Sequence, residues 1–241
     1  MRMKLARVWA RTCMRFAGRS AFGRFWAAAA GLGQPPYKGR RHLARLADRG
    51  YLAPSAQVHG GDVQMGRNSF VGDGVVLYQG PDGGGIGIGD RSSVHRDSIF
   101  ETGEGGSIEI GRDSHIQARC QLSAYKGSIR IGNAVQVAPG CGFYPYEHGT
   151  AAHISMREQP LHSKGDIVVG DDAWLGFGVV LLDGTRIGAG AVIGAGSVVK
   201  GTVPSMAIAV GSPARVVGYR EGAETATDET LEGASAAGQP S

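Results

Sequence analysis

Three of the chain's seven histidines, His148, His153 and His162, fall in one short stretch. It reads Tyr144-Pro-Tyr146-Glu-His148-Gly-Thr-Ala-Ala-His153 and continues through His162 to Gly165. A neutral imidazole, with a pKa near 6.5, can remove the proton of an attacking hydroxyl at ordinary pH. Imidazoles also ligate zinc, and the spacing His148-x4-His153, with His115 upstream, keeps that chemistry in view. Other catalytic signatures are missing. No P-loop occurs, and no G-x-G-x-x-G follows a strand and opens a helix, so the common nucleotide-binding folds are excluded. The three cysteines match neither a disulfide framework nor a zinc motif, which suits a reducing compartment.

Positioning these side chains requires a scaffold, and composition narrows the choice. Glycine supplies 41 of 241 residues, and apolar residues make up 42%, enough to bury a core. The longest apolar run, Phe25 to Gly33, is about half a membrane span. Charge is unevenly placed. Residues 1–50 hold 12 Lys/Arg against Asp48 alone, residues 51–220 hold 13 bases and 15 acids, and residues 221–241 hold five acids and no base. The net +4 thus conceals a basic arm, a near-neutral body and an acidic tail. Arginines 7, 11, 15, 19 and 24 interrupt any signal-like apolar stretch, so the expected location is cytoplasmic.

The body repeats. Val169, Leu175, Leu181, Ile187, Ile193 and Val199 place an aliphatic residue at every sixth position. The triplets Ile88, Val94, Phe100; Ile110, Ile116, Leu122; and Ile131, Val137, Phe143 keep the same interval. Gly-x-Ile-x-Ile-Gly opens at Gly84, Gly106 and Gly127, with a variant at Gly165. A period of six fits neither an amphipathic helix nor a plain half-buried strand. It fits a coil of about 18 residues, three short strands and three turns, with small residues where the chain bends. Stacked coils share one continuous core. The wider interval before Gly165 implies an insertion that leaves the coil at 144–165, carrying the histidines. Cys120 and Cys141 occupy equivalent slots in adjacent coils and are expected to point inward.

Residues 165–217 are the most specific stretch. They contain Ile167-Val-Val-Gly-Asp-Asp-Ala-Trp174-Leu-Gly176, then Arg186-Ile-Gly-Ala-Gly-Ala-Val-Ile-Gly-Ala195-Gly-Ser-Val-Val199, then Val203-Pro and Gly211-Ser-Pro-Ala-Arg215-Val-Val217. This succession resembles the hexapeptide-repeat acyltransferases, and within them the sugar O-acetyltransferases of the galactoside, maltose and polysaccharide-biosynthesis types. The resemblance covers about residues 51–218. It implies an all-β left-handed parallel β-helix, although parallel crossovers are normally right-handed. It implies an acetyl-CoA-dependent homotrimer with sites between subunits, direct transfer to a sugar or glycan hydroxyl, and no need for a metal or acyl-enzyme. Ile131-Gly132, Ala138-Pro139 and then His148 reproduce the order in which that family sets its general base. The resemblance also implies that Trp174 shapes the pantetheine channel, with backbone at Gly176, Phe177 and Ala195. Lys200 and Arg215 would meet the nucleotide phosphates. On the acceptor side stand Arg119, Gln121, Tyr146 and His153; where relatives often carry an asparagine, this chain has Gln117, Arg119 and Gln121.

Residues 2–19 can be wound as a helix with Leu5, Trp9, Cys13 and Phe16 opposite Lys4, Arg7, Arg11, Arg15 and Arg19. Such a helix suits either an anionic membrane surface or docking on the end of the β-helix. The expected organisation is a basic, partly helical arm over 1–50, a β-helix domain over 51–218 and a disordered acidic tail over 219–241. Two other functions remain: a zinc hydratase like the γ-class carbonic anhydrases, and a non-catalytic scaffold. The hydratase is disfavoured because its ligands sit on regular coils, whereas His148 and His153 lie in the insertion.

Overall fold

The computed structural model describes residues 2–223, and the tail from residue 224 lies outside them. Three sheets of parallel strands form the three faces of a β-helix. Face 1 stacks Tyr51–Leu52, Phe70–Val71, Ser93–Val94, His115–Ile116, Gln136–Val137, Trp174–Leu175, Val192–Ile193 and Ala207–Gly211. The antiparallel strand Ala214–Tyr219 closes it. Face 2 runs from Gln57–His59 to Val198–Val199, and face 3 from Val63–Met65 to Thr202–Val203. The chain visits the faces in turn, so the axis advances one coil per circuit.

Every aliphatic of the six-residue series is buried, each exposed by 4% or less. The ladder Val94, Ile116, Val137, Leu175, Ile193 fills the core from face 1, and Phe100, Leu122, Phe143, Leu181, Val199 fill it from face 2. Bends follow a fixed rule. Just before each face 1 strand from the second coil on, the chain enters the left-handed region, at Asn68, Arg91, Asp113, Ala134, Asp172, Gly190 and Met206. The expectation that only small residues serve there is therefore corrected. A non-glycine residue in this conformation costs roughly 1–2 kcal/mol. What offsets it is a repeated bond: the N–H of Arg91, Asp113, Ala134, Asp172, Gly190 and Met206 each donates to a carbonyl of the coil below, at 2.7–2.9 Å.

The arm is a helical hairpin followed by a 3₁₀ segment. Helix α1 is Arg2–Met14 and α2 is Ala21–Ala30, so the single helix expected over 2–19 ends early. Ser20 caps α2 by accepting from the Gly23 N–H at 3.1 Å. Of the four apolar residues expected on the outward side, Cys13 is corrected: it is fully buried with Ala10, Met14 and Ala17. These small or flexible residues let α1 and α2 approach closely, and with Ala27, Ala30 and Leu43 they join the core of Tyr51 and Leu52. Arginines tie the cap to the first coil: Arg24 donates to the Ala56 carbonyl at 2.7 Å and Arg19 to that of Val63 at 2.9 Å. Leu5, Val8, Trp9, Phe16, Phe22 and Phe25 stay exposed. Among the described residues, no helix is long and apolar enough to cross a membrane.

Candidate functional site

The corner between faces 2 and 3 is where coils vary in length. In the fifth coil the chain leaves after Gly142–Phe143 and returns at Ile167–Val169. The excursion is ordered by a two-stranded antiparallel ribbon pairing Glu147 with His162 and His148 with Leu161. Buried Gln159 fastens its far end, donating to the carbonyls of Ala151 at 2.7 Å and Ile154 at 2.9 Å. Neighbouring residues of a strand point to opposite sides. Glu147 is engaged by Lys164 at 3.0 Å, and Lys164 also reaches buried Asp183 at 3.3 Å. His148, on the other side, is exposed and makes no side-chain hydrogen bond among the described residues. His153 and His162 are exposed too, with His162 at 3.9 Å from Glu147.

Beside the ribbon, face 2 presents a column that sequence reasoning missed. Tyr78 pairs with Glu101, Glu101 with Ser123, and Tyr144 follows one coil on. Ser123 donates its hydroxyl hydrogen bond to the Glu101 carboxylate. Tyr146 stands edge-on to Tyr125 and Tyr144, with ring centroids 5.6 and 6.3 Å apart. Burial, reinforced by Glu101, raises the Tyr125 hydroxyl above its usual range. Burial and the neighbouring Tyr146 raise Tyr144, so both phenols stay protonated donors. The near-constant interval from Tyr78 to Glu101, Ser123 and Tyr144 was the available signal. Gln121 opens the same face 2 strand, and Arg119 is an exposed corner residue with φ 60°.

Of the residues assigned to the coenzyme, Trp174, Gly176 and Phe177 lie on the sixth coil, Ala195 and Lys200 on the seventh, and Arg215 on the closing antiparallel strand. Trp174 and Phe177 are 54% and 62% exposed, so neither is a core residue. The Gly176 N–H donates to the Ile193 carbonyl at 2.8 Å, and its own carbonyl accepts from the Cys141 thiol at 3.2 Å. A Cβ there would lie 2.7 Å from the Ala195 nitrogen, so glycine is required for the coils to stack. Ala195, Lys200 and Arg215 are exposed. Cys120 and Cys141 are buried in adjacent coils, and both bond the Ala138 carbonyl. Its hydrogen bond to Cys141 and its burial push the Cys120 thiol up, away from thiolate chemistry. Among the described residues, no three His, Cys, Asp or Glu side chains gather as a metal site. His115 instead belongs to face 1, against Ser93 and Arg41.

The bacterial transferase hexapeptide pattern (six repeats) matches residues 166–201, the segment bearing Trp174, Gly176, Phe177 and Ala195. Residues 166–201 are thus a hexapeptide-repeat segment of the bacterial transferase type. The chain is 32% identical over 161 residues to a probable acetyltransferase of Mycobacterium tuberculosis, covering 63% of this chain and 50% of that protein. It is 36% identical over 135 residues to a putative acetyltransferase of Staphylococcus aureus, covering 55% of this chain and 66% of that protein. The chain thus spans half to about two thirds of the length of these relatives. Among solved structures, a point mutant of AntD, an N-acyltransferase from Bacillus cereus in complex with dTDP and coenzyme A, aligns with a TM-score of 0.56. That likeness, at 21% identity, covers 66% of this chain and 83% of AntD, and it is a likeness of fold.

Proposed function

We propose that this protein is an acetyl-CoA-dependent O-acetyltransferase acting on a hydroxyl of a sugar or glycan precursor, with His148 as general base. The observation that carries the reading is the placement of His148. It stands on an ordered ribbon and makes no side-chain hydrogen bond among the described residues, and Tyr146, two residues before it, packs against Tyr125 and Tyr144 of the column that holds the Glu101–Ser123 pair. A sugar ring presents apolar C–H faces and many hydroxyls. Tyrosine rings receive the former, and the Glu101 carboxylate and phenol groups bind the latter. Arg119, Gln121, Tyr146 and His153 remain the acceptor-side assignments.

In the transfer, His148 takes the hydroxyl proton as the oxygen attacks the thioester carbonyl. The new C–O bond forms, the C–S bond breaks, and the thiol leaves with that proton. Because the thiolate is a good leaving group, no acyl-enzyme is required. Exposed Trp174 and Phe177 suit the pantetheine arm, and the cations Lys200 and Arg215 suit its phosphates. Support comes also from the relatives of M. tuberculosis and S. aureus, named as acetyltransferases. A homotrimer would cover the open side of this surface with a neighbouring subunit.

We assign the reaction to the cytoplasm, in polysaccharide biosynthesis, at the surface of an anionic membrane. The exposed Leu5, Trp9 and Phe16 share α1 with Arg7 and Arg11 or follow it beside Arg15, a pairing suited to that interface. Serine in place of Trp9 and Phe16 should release the protein from anionic vesicles. The reaction itself is tested by following thiol release from acetyl-CoA with a panel of neutral sugars, amino sugars and oligosaccharides. Acceptor-dependent release with ester formation is expected; amide formation alone, or release indifferent to acceptor, would overturn the assignment.

A further inference from the structure

A second polar centre lies on face 1, on the side of the prism opposite the corner from which His148 projects. The 3₁₀ segment Tyr37–Leu46 crosses this face and roofs a cavity of about 370 Å³ over the second, third and fourth coils. Its position is fixed from below. The Asn68 amide donates to the carbonyls of Ala44 at 3.2 Å and Ala47 at 3.1 Å, and Asn68 is itself one of the left-handed corner residues. The floor is a hydrogen-bonded row. Ser93 Oγ lies 2.9 Å from His115 Nδ1 and 3.2 Å from Nε2 of the fully buried His95.

The charges in this cavity do not cancel. Arg91 forks onto Asp113 at 2.6 and 2.7 Å, which neutralises that pair. Arg41 and Arg45 also line the cavity, and neither meets a carboxylate among the described residues. Arg41 is half-buried, with its guanidinium 3.1 Å from His115 Nε2. Burial first, and then Arg45, disfavours its charge. The Arg41 guanidinium, half-buried beside a histidine with the exposed Arg45 also lining the cavity, is costly to hold without a counter-charge. The fork geometry of the two guanidiniums matches phosphate oxygens, and their joint charge matches a dianion better than a carboxylate. The cavity exceeds what a bare phosphate fills, leaving room for a small polar moiety.

We infer that the cavity beneath Tyr37–Leu46 is a binding site for the phosphate ester of a small polar molecule, with Arg41 and Arg45 clasping the phosphoryl group and His115 and Ser93 facing it. This site is independent of the assignment of His148. It gives the arm a role beyond capping, because ligand and arm would stabilise one another.

The full-length protein should be titrated with inorganic phosphate, glucose 1-phosphate and glucuronate by calorimetry, with His115 and His153 ring resonances followed by NMR. Glucose 1-phosphate should saturate one site per chain, bind more tightly than the other two, and move His115 but not His153. Replacing both arginines (Arg41→Gln with Arg45→Gln) should weaken that binding by at least about tenfold. Arg41→Lys, which keeps the charge and loses the fork, should give a smaller loss on a chain whose fold is undisturbed. The inference is overturned by absence of saturation, by equal affinity for glucuronate or inorganic phosphate, or by binding that neither moves His115 nor responds to Arg41→Lys.

Discussion

The second to fourth coils and the sixth and seventh share one core but present two different surfaces. Corner residues in the early coils are 23, 22 and 21 positions apart, from Asn68 to Arg91, Asp113 and Ala134. From Asp172 to Gly190 and Met206 the intervals are 18 and 16. The extra residues build loops at the corner between faces 2 and 3, and the largest is the ribbon of His148. On face 1, the early coils lie beneath the arm and carry Ser93, His95 and His115, whereas the later coils are bare and carry Trp174. The inward aliphatics hardly differ. The difference shows that the repeat fixes the interior, while the outward slots and corner loops are free to hold chemistry.

The largest effect should come from the covered end. Deleting residues 2–46 uncovers Tyr51 and Leu52, which are buried against the arm, and the truncated chain should aggregate or lose its cooperative melt. A truncated chain that melts like the full one would mean that the arm is not part of the core. Next come the interior ladders, where the two regions should respond alike. Leu77→Ala and Leu181→Ala, both at fully buried positions, should each cost about 2–5 kcal/mol by chemical denaturation. A much smaller loss at only one of them would divide the core in two.

A smaller effect separates the two surfaces by pH. Burial first, then the charges of Arg41 and Lys38 and the neighbouring His115, depress the His95 imidazole from 6.5 to about 4. The unfolded chain therefore binds a proton that the folded chain refuses. This contribution is complete above about 6.5 and is lost as pH falls toward 4, on the order of 3 kcal/mol. Melting temperature should drop across that window, and His95→Asn should flatten the drop; an unchanged slope would exclude His95 as its source. The smallest structural effect belongs to the bare surface. Trp174→Ala should change stability by less than about 0.5 kcal/mol yet raise KM for acetyl-CoA. A destabilised variant with unchanged KM would make Trp174 a packing residue.

The coil and its core were legible because six-residue spacing leaves few architectures, and Leu175 or Ile193 can only point inward. The excursion was legible as a break in that spacing. The arm was not. A helical wheel separates Leu5, Trp9 and Phe16 from the arginines, but it cannot tell which side docks. Docking chose Ala10, Cys13 and Met14, because helices approach closely where side chains are small or pliable. Corner residues such as Arg91 and Met206 escaped a reading that looked for glycine, since their conformation is stabilised by bonds between coils. The Glu101 column needed the inter-coil register, which a local motif does not carry.

The central claim is that His148 removes the acceptor's proton, and steady-state acetyl transfer by His148→Ala tests it most directly. Turnover should fall by about 10²–10⁴, with the melting temperature unchanged and with His153→Ala and His162→Ala costing less. Equal losses in all three variants, or full activity in His148→Ala, would contradict the account.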